Sequence, residues 1–256
     1  MKIYIFGSCS GTEPFVGRHH TSFAIETEGR IFWFDAGEGC AHTAHVMGVD
    51  LLRVSEIFIS HPHMDHVGGL PHLLWTIRKL DGVTKRTPVF GDVTVYTPSV
   101  DSFYGTMAML NYSNKSERPY SYQFLCQRVQ EGVVFKNESV TVTAIPTMHM
   151  PINDDGPQSY SYIFEAEGKR VVYSGDYKEN EELGRAVGEG CDLLLSETGH
   201  HNPIEICEYL KGKRVSKNCF LHHGRMILGD YDGVLEKCRL VDPGVTICND
   251  GDVFEI

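Results

Sequence analysis

In the run Ser60-His61-Pro62-His63-Met64-Asp65-His66, four side chains that bind divalent metals fall within a few positions of one another. Side chains two apart on an extended segment point the same way, so His61 and His63 can reach one ion together. Asp65 and His66 fall where the chain turns into a helix, and they point to a neighbouring position. Imidazole and carboxylate groups at two adjacent positions suit zinc or a similar divalent ion. The bland alternative is a solvated histidine-rich turn. It is the poorer reading, because the run directly follows the apolar stretch Ile57–Ile59.

Further candidates follow strand-like runs later in the chain. His149 lies just past Val140–Ile145, Asp176 ends Tyr173-Ser174-Gly175-Asp176, and His222-His223 closes Asn218–His222. Each leaves the end of a β-rich segment, so all could gather along one edge of a sheet structure. His222 and His223 are adjacent and would face opposite ways on an extended strand, so only one of them can join. A second kind of signal surrounds His201. It precedes a helix start with Asn202 as N-cap, Pro203 at the first position and Glu205 closing a capping box. A group there sits at the positive end of a helix dipole, where phosphates bind. His200 competes with it.

The order of these motifs resembles the metallo-β-lactamase superfamily, and within it the ribonuclease Z and phosphodiesterase branch. The resemblance starts at Phe6-Gly7-Ser8-Cys9-Ser10-Gly11-Thr12 and continues through Trp33-Phe34-Asp35-Ala36-Gly37-Glu38-Gly39 and the His61 run. It ends with Tyr173–Asp176 and Phe220-Leu221-His222-His223-Gly224. It implies Asp35 as a carboxylate bracing the metal loop. It further implies His61, His63 and His149 on one ion, Asp65, His66 and His223 on the other, and Asp176 joining both. His223 is preferred over His222 because Leu221-His222-His223 overlays Ile59-Ser60-His61. Glu197 and His201 correspond to a glutamate and histidine that assist the leaving group in that branch, although they stand closer together here. Asp65, His201 and Glu197 are the catalytic candidates. His19 and His20 lie before a strand, and the flanking Arg18 and Thr21 resemble residues near the substrate mouth, though hydrogen-bonded loop structure is the commoner role. The implied cofactors are two divalent ions, zinc first, with manganese or iron as alternatives.

The elements that must position these groups read as two β-rich halves with interspersed helices. Strands are expected at Ile3–Phe6, Ser22–Thr27, Arg30–Phe34, Glu56–Ser60 and Val93–Tyr96, with Glu28-Gly29 as a hairpin turn. Helices are expected at Cys40–Met47, Val67–Leu80 and Val100–Leu110, and a polar loop or lid at Asn111–Ser121. Tyr104, Tyr112, Tyr120 and Tyr122 surround that loop. The second half gives strands at Val140–Ile145, Tyr160–Glu165, Arg170–Tyr173, Asp192–Leu195, Asn218–His222, Val245–Cys248 and Val253–Ile256. Its helices are Glu179–Val187 and Pro203–Leu210. With the resemblance, this predicts an α/β fold. It is a four-layered αββα sandwich in which two mixed sheets lie face to face, as one domain over residues 1–256.

Composition narrows the substrate. The net charge of −11 opposes a large nucleic-acid partner and leaves a small anion, whose binding local metal charge can govern. The eight cysteines form no C-x-x-C pair and read as reduced thiols of a cytoplasmic protein. No leader or membrane-spanning run is expected. The sequence therefore predicts a binuclear hydrolase of a small or cyclic phosphodiester, compatible with a homodimer because related enzymes often form one. Two alternatives stand beside it, a ribonuclease Z-like endonuclease acting at transfer-RNA 3′ ends and a non-catalytic metal-binding scaffold.

Overall fold

The computed structural model describes residues 1–113 and 120–256. The chain divides into two compact units interleaved in sequence. Met1–Gly7, His19–Val129 and Asp250–Glu255 make up one, and Ser8–Arg18, Gln130–Asn249 and Ile256 the other.

The first unit opens with an antiparallel meander of β1 (Lys2–Gly7), β2 (Ser22–Thr27) and β3 (Arg30–Phe34). Glu28 and Gly29 turn β2 into β3 with φ of 49° and 75°, the left-handed pair that a two-residue hairpin turn requires. After α1 (Cys40–Val46), the parallel strands β4 (Val54–Phe58), β5 (Val93–Thr97) and β6 (Phe124–Arg128) extend the sheet. Every residue of β4 is buried, Ser55 and Glu56 included, as in a strand flanked on both sides by parallel neighbours and covered on both faces. The crossovers carry α2 (Met64–Val67), α3 (Leu70–Thr84) and α4 (Val100–Ser113). A core of Phe6, Trp33, Ile57, Leu73 and Leu74 joins helices to sheet. Phe23, Phe34, Phe58 and Tyr96 stack across β2–β5 at centroid spacings of 4.9, 5.1 and 4.8 Å.

The second unit repeats this plan. β7 (Gly132–Lys136), β8 (Val140–Pro146), β9 (Tyr160–Ala166) and β10 (Lys169–Tyr173) run antiparallel. After α5 (Asn180–Val187), the strands β11 (Leu193–Thr198), β12 (Asn218–His223) and β13 (Thr246–Ile247) are parallel. α6 (Pro203–Leu210), α7 (Arg225–Gly229) and α8 (Tyr231–Arg239) complete the unit. Its core gathers Leu194, Phe220, Ile206, Val187 and Val234. The chain then returns to the first unit as β14 (Val253–Glu255), antiparallel to β1, so each unit holds a seven-stranded sheet.

Several expected boundaries shift. The helix expected at Val67–Leu80 is two helices, broken at Gly68-Gly69. β11 extends past Leu195 and carries Glu197 within the strand. Asn111–Ser113 close α4 instead of opening a loop, and the rest of the expected lid, residues 114–119, lies outside the described residues. β6 and β7 were not anticipated. They end their sheets, and their half-exposed, mixed sequences give a weak strand signal.

Candidate metal centre

In the first unit the centre is built from a braced loop. Asp35 is fully buried and left-handed, with φ of 49°. Its carboxylate accepts the Ser60 amide at 2.6 Å, the Ser60 hydroxyl at 2.7 Å and the His66 Nδ1 proton at 2.7 Å. This fixes the His66 tautomer and leaves Nε2 as the basic nitrogen, 3.4 Å from Asp65 Oδ2. His61 Nδ1 lies 3.0 Å from the Ser60 hydroxyl, and its Nε2 lies 3.0 Å from His63 Nδ1. Two nitrogens that close, one on a fully buried ring, suit a shared cation. The loop must pack tightly to achieve this. The Gly69 amide donates to Ala36 O at 2.7 Å and the Ala36 amide to His66 O at 2.6 Å. A Cβ on Gly69 would stand 2.1 Å from the Gly37 carbonyl, and one on Gly37 2.7 Å from the Asp65 carbonyl.

In the second unit Asp176, Glu197, His200 and His222 each offer a ligand atom, all within 4.8 Å of one another. The two oxygens of Asp176 face different histidines. Oδ1 is 3.5 Å from His222 Nε2, while Oδ2 is 3.6 Å from His149 Nε2 and 3.5 Å from His200 Nδ1. A carboxylate bridging two ions needs this split. His222 Nδ1 turns to Glu197 Oε2 at 3.6 Å, the carboxylate-backed arrangement common to metal-bound imidazoles. The donors in both units are nitrogen and oxygen without thiolate, which fits zinc, manganese or iron.

His223, expected as the ligand, takes another role. Its Nε2 donates to the Cys248 carbonyl at 2.7 Å and its Nδ1 lies 3.3 Å from the Thr198 hydroxyl. Burial pulls its pKa down to about 3, so the ring is neutral. His222, and not His223, faces Asp176 and Glu197 because the register slips at this point. Glu197 pairs with Leu221 and Thr198 with His223, so His222 is the extra residue of a bulge, with φ of 52°. Alternation along an ideal strand does not apply through a bulge. Gly199 makes room, since a Cβ there would stand 2.5 Å from His222 Nδ1.

His200 and His201 also divide differently from expectation. His201 stacks on Tyr177 at 4.1 Å and bonds the Tyr177 carbonyl at 3.0 Å, and its Nε2 lies 3.4 Å from Glu197 Oε1, so the expected Glu197–His201 pair does meet, with the ring largely buried. His200 is half-exposed, and its hydrogen bond to Glu197 raises its pKa, opposed by burial. Burial pushes Glu197 up, but hydrogen bonds from His200 and His222 outweigh it and lower its pKa. Glu197 is itself fully buried. Asn202 caps α6 as expected, accepting the Ile204 amide at 3.0 Å. Glu205 meets the Asn202 side-chain amide at 3.4 Å, so no reciprocal capping box forms.

The remaining candidates are engaged in packing. Arg18 donates to Ser8 Oγ and Asn249 Oδ1, each at 2.8 Å, and His19 Nδ1 lies 3.2 Å from Glu38. The Thr21 carbonyl accepts the Gly37 amide, and the His20 carbonyl packs where a Cβ on Gly7 or Gly37 would go. Tyr120 and Tyr122 meet edge to face at 5.5 Å with Arg78 over Tyr120, while Tyr104 is exposed. The side chain of Tyr112 lies outside the described residues. No helix among the described residues is long and apolar enough to cross a membrane.

A family model described as "Anti-Pycsar protein Apyc1" matches residues 1–223. Ribonuclease Z of Anoxybacillus flavithermus is 31% identical over 318 residues, spanning 100% of this chain and 97% of that protein. The crystal structure of the metallo-beta-lactamase fold protein YhfI from Bacillus subtilis superposes with a TM-score of 0.72 at 18% identity, covering 99% of each chain. That of unliganded yeast PDE1 superposes at 0.68 and 15% identity, covering 100% of this chain and 99% of its own. These structural likenesses show the fold, the α/β sandwich of the metallo-β-lactamases. The chain belongs to the family described as Anti-Pycsar protein Apyc1, within the ribonuclease Z and phosphodiesterase branch of the metallo-β-lactamase superfamily, and is a metal-dependent hydrolase.

Proposed function

We propose that the chain is a binuclear phosphodiesterase of small or cyclic phosphodiesters, working in the cytoplasm as one hydrolase domain over residues 1–256. His61, His63, Asp65, His66, His149, Asp176 and His222 hold two ions, zinc first and manganese or iron as alternatives. The observation that carries this reading is Asp176, whose two oxygens each face a different histidine. Held by these residues, two divalent ions would supply Lewis acidity, activating a water at neutral pH and offsetting charge on the phosphoryl group.

The chain's own residues do the rest. Asp35 holds the His66 tautomer, and Glu197 orients the His222 ring. Asp65, beside His66, orients the attacking group. His200 Nδ1 faces the carboxylates, so its Nε2 proton is free to go to the leaving oxygen. In this reading His200 takes the role that the resemblance implies for His201, with Glu197 acting through it.

Elemental analysis of purified protein, with a panel of phosphodiesters, phosphomonoesters, thioesters and lactams, tests this. Metal-dependent turnover of an aryl phosphodiester is the expected outcome, and Asp176→Ala should remove both metal uptake and turnover. Cleavage of a thioester or lactone alone, with zinc, manganese or iron, would overturn the substrate class. Normal turnover by Asp176→Ala would overturn the centre.

A second reading, endonuclease action on transfer RNA, is favoured by the ribonuclease Z relative. Against it stand the net charge of −11 and the short connection after His149, closed by the Asn153–Gly156 bridge, where ribonuclease Z enzymes often carry a clamping arm. Tight binding of precursor transfer RNA with a steep salt dependence would reverse the ranking.

A further inference from the structure

α5 faces the segment that carries His149. Glu182, in the first turn of this helix, is only 8% exposed, unusual for a carboxylate where solvated acids normally offset the dipole. Its Oε2 accepts the amide of Met148, the residue before His149, at 2.9 Å, and the amide of Lys178 at 3.4 Å. One turn further on, Arg185 donates to the Pro146 carbonyl at 2.9 Å. An anion on an amide and a cation on a carbonyl thus grip one short stretch of chain.

The grip is reinforced around the same segment. The Thr147 amide donates to Ser159 O at 2.9 Å, and the Met150 amide to Ser159 Oγ at 3.1 Å. The Thr147 hydroxyl donates to the Asp176 carbonyl at 2.7 Å. The segment holding His149 is therefore tied to the residue whose Oδ2 its ring faces. On the α5 side the segment is held by Glu182 and Arg185.

We infer that Glu182 and Arg185 are positioning residues, clamping the Pro146–Met148 backbone so that His149 and Asp176 meet in ligand geometry for one of the two ions. This rests on the binuclear reading above. Because the clamp holds the backbone beside His149, its loss weakens the ion that His149 binds more than the other.

Zinc titration against a chromophoric chelator tests the clamp, together with melting of the metal-free proteins. Glu182→Ala should bind one zinc about 10–100-fold more weakly than the wild type does, and the other with a smaller loss. Glu182→Gln, which keeps an oxygen acceptor for the Met148 amide, should stay within roughly threefold of wild type. If Glu182→Ala does not fold, Arg185→Ala decides, since its side chain is exposed. It should weaken the same zinc by about threefold to tenfold. Two zinc ions bound as in wild type, or both weakened alike, would overturn the clamp. A wild type that binds fewer than two zinc ions would overturn the binuclear reading and the clamp with it, a failure already visible without any variant.

Discussion

At the scale of the residue, chemistry is bought with unusual backbone. Asp35 and His222 are both non-glycine residues in the left-handed region, a conformation that costs about 1 kcal/mol or more for a side chain of this kind. Each gains from its neighbours what it loses locally. Asp35 gains three hydrogen bonds, and His222 stands between Asp176 and Glu197. Gly199 is the residue on which the second arrangement turns. Gly199→Ala would press a methyl group against the fully buried His222 ring. We expect zinc affinity to fall by at least about tenfold, read by chelator competition, because backing and contact groups of a ligand cost that much when displaced. Affinity equal to wild type would show that the ring is not held against Gly199.

Elements explain why these residues are presented at all. The motif-bearing strands are mostly central and parallel, and their ends deliver side chains to loops that the core holds still. α5 depends on a partner outside itself. Arg170, on β10, donates to the carbonyls of Val187 at 2.7 Å, Gly190 at 2.6 Å and Ala186 at 3.1 Å, closing the end of the helix. Arg170→Ala leaves those acceptors without their charged donor at a cost of about 2–3 kcal/mol. Thermal melting should fall by roughly 4–10 °C, and a melting temperature unchanged within error would remove Arg170 from this role.

For the whole molecule, charge and burial set the conditions of stability. Burial pushes the Cys40 and Cys191 thiols up to about 12, and the Tyr96 hydroxyl likewise. Acids whose pKa rises on folding stabilise the fold fully below their unfolded values of 9.0 and 10.0, and lose that contribution as pH climbs toward 12. Cys40 alone accounts for roughly 4 kcal/mol across this window. Stability measured by urea unfolding should therefore hold to about pH 9 and then decline steeply. The chain passes repeatedly from one compact unit to the other, so neither is a continuous segment. The same experiment should show one transition, coincident by near- and far-ultraviolet circular dichroism. Two separate transitions would divide the proposed single domain.

The fold class was legible in the sequence because the order of strand-like and helical runs, decided by near neighbours, agreed with the family that the motifs resemble. The His61 run announced itself for the same reason, since its spacing alone places the groups. What stayed illegible depended on contacts between distant segments. The edge strands β6 and β7 carry little apolar signal, because half of each faces solvent. That His222 rather than His223 faces Asp176 arises from a bulge whose register is set by β11, and that His201 is packed while His200 is half-exposed arises from a stacking contact with Tyr177. Composition and spacing determine which chemistry is available. Only the folded chain decides which of two adjacent side chains supplies it, because a single register slip or ring contact reverses the direction in which each one points.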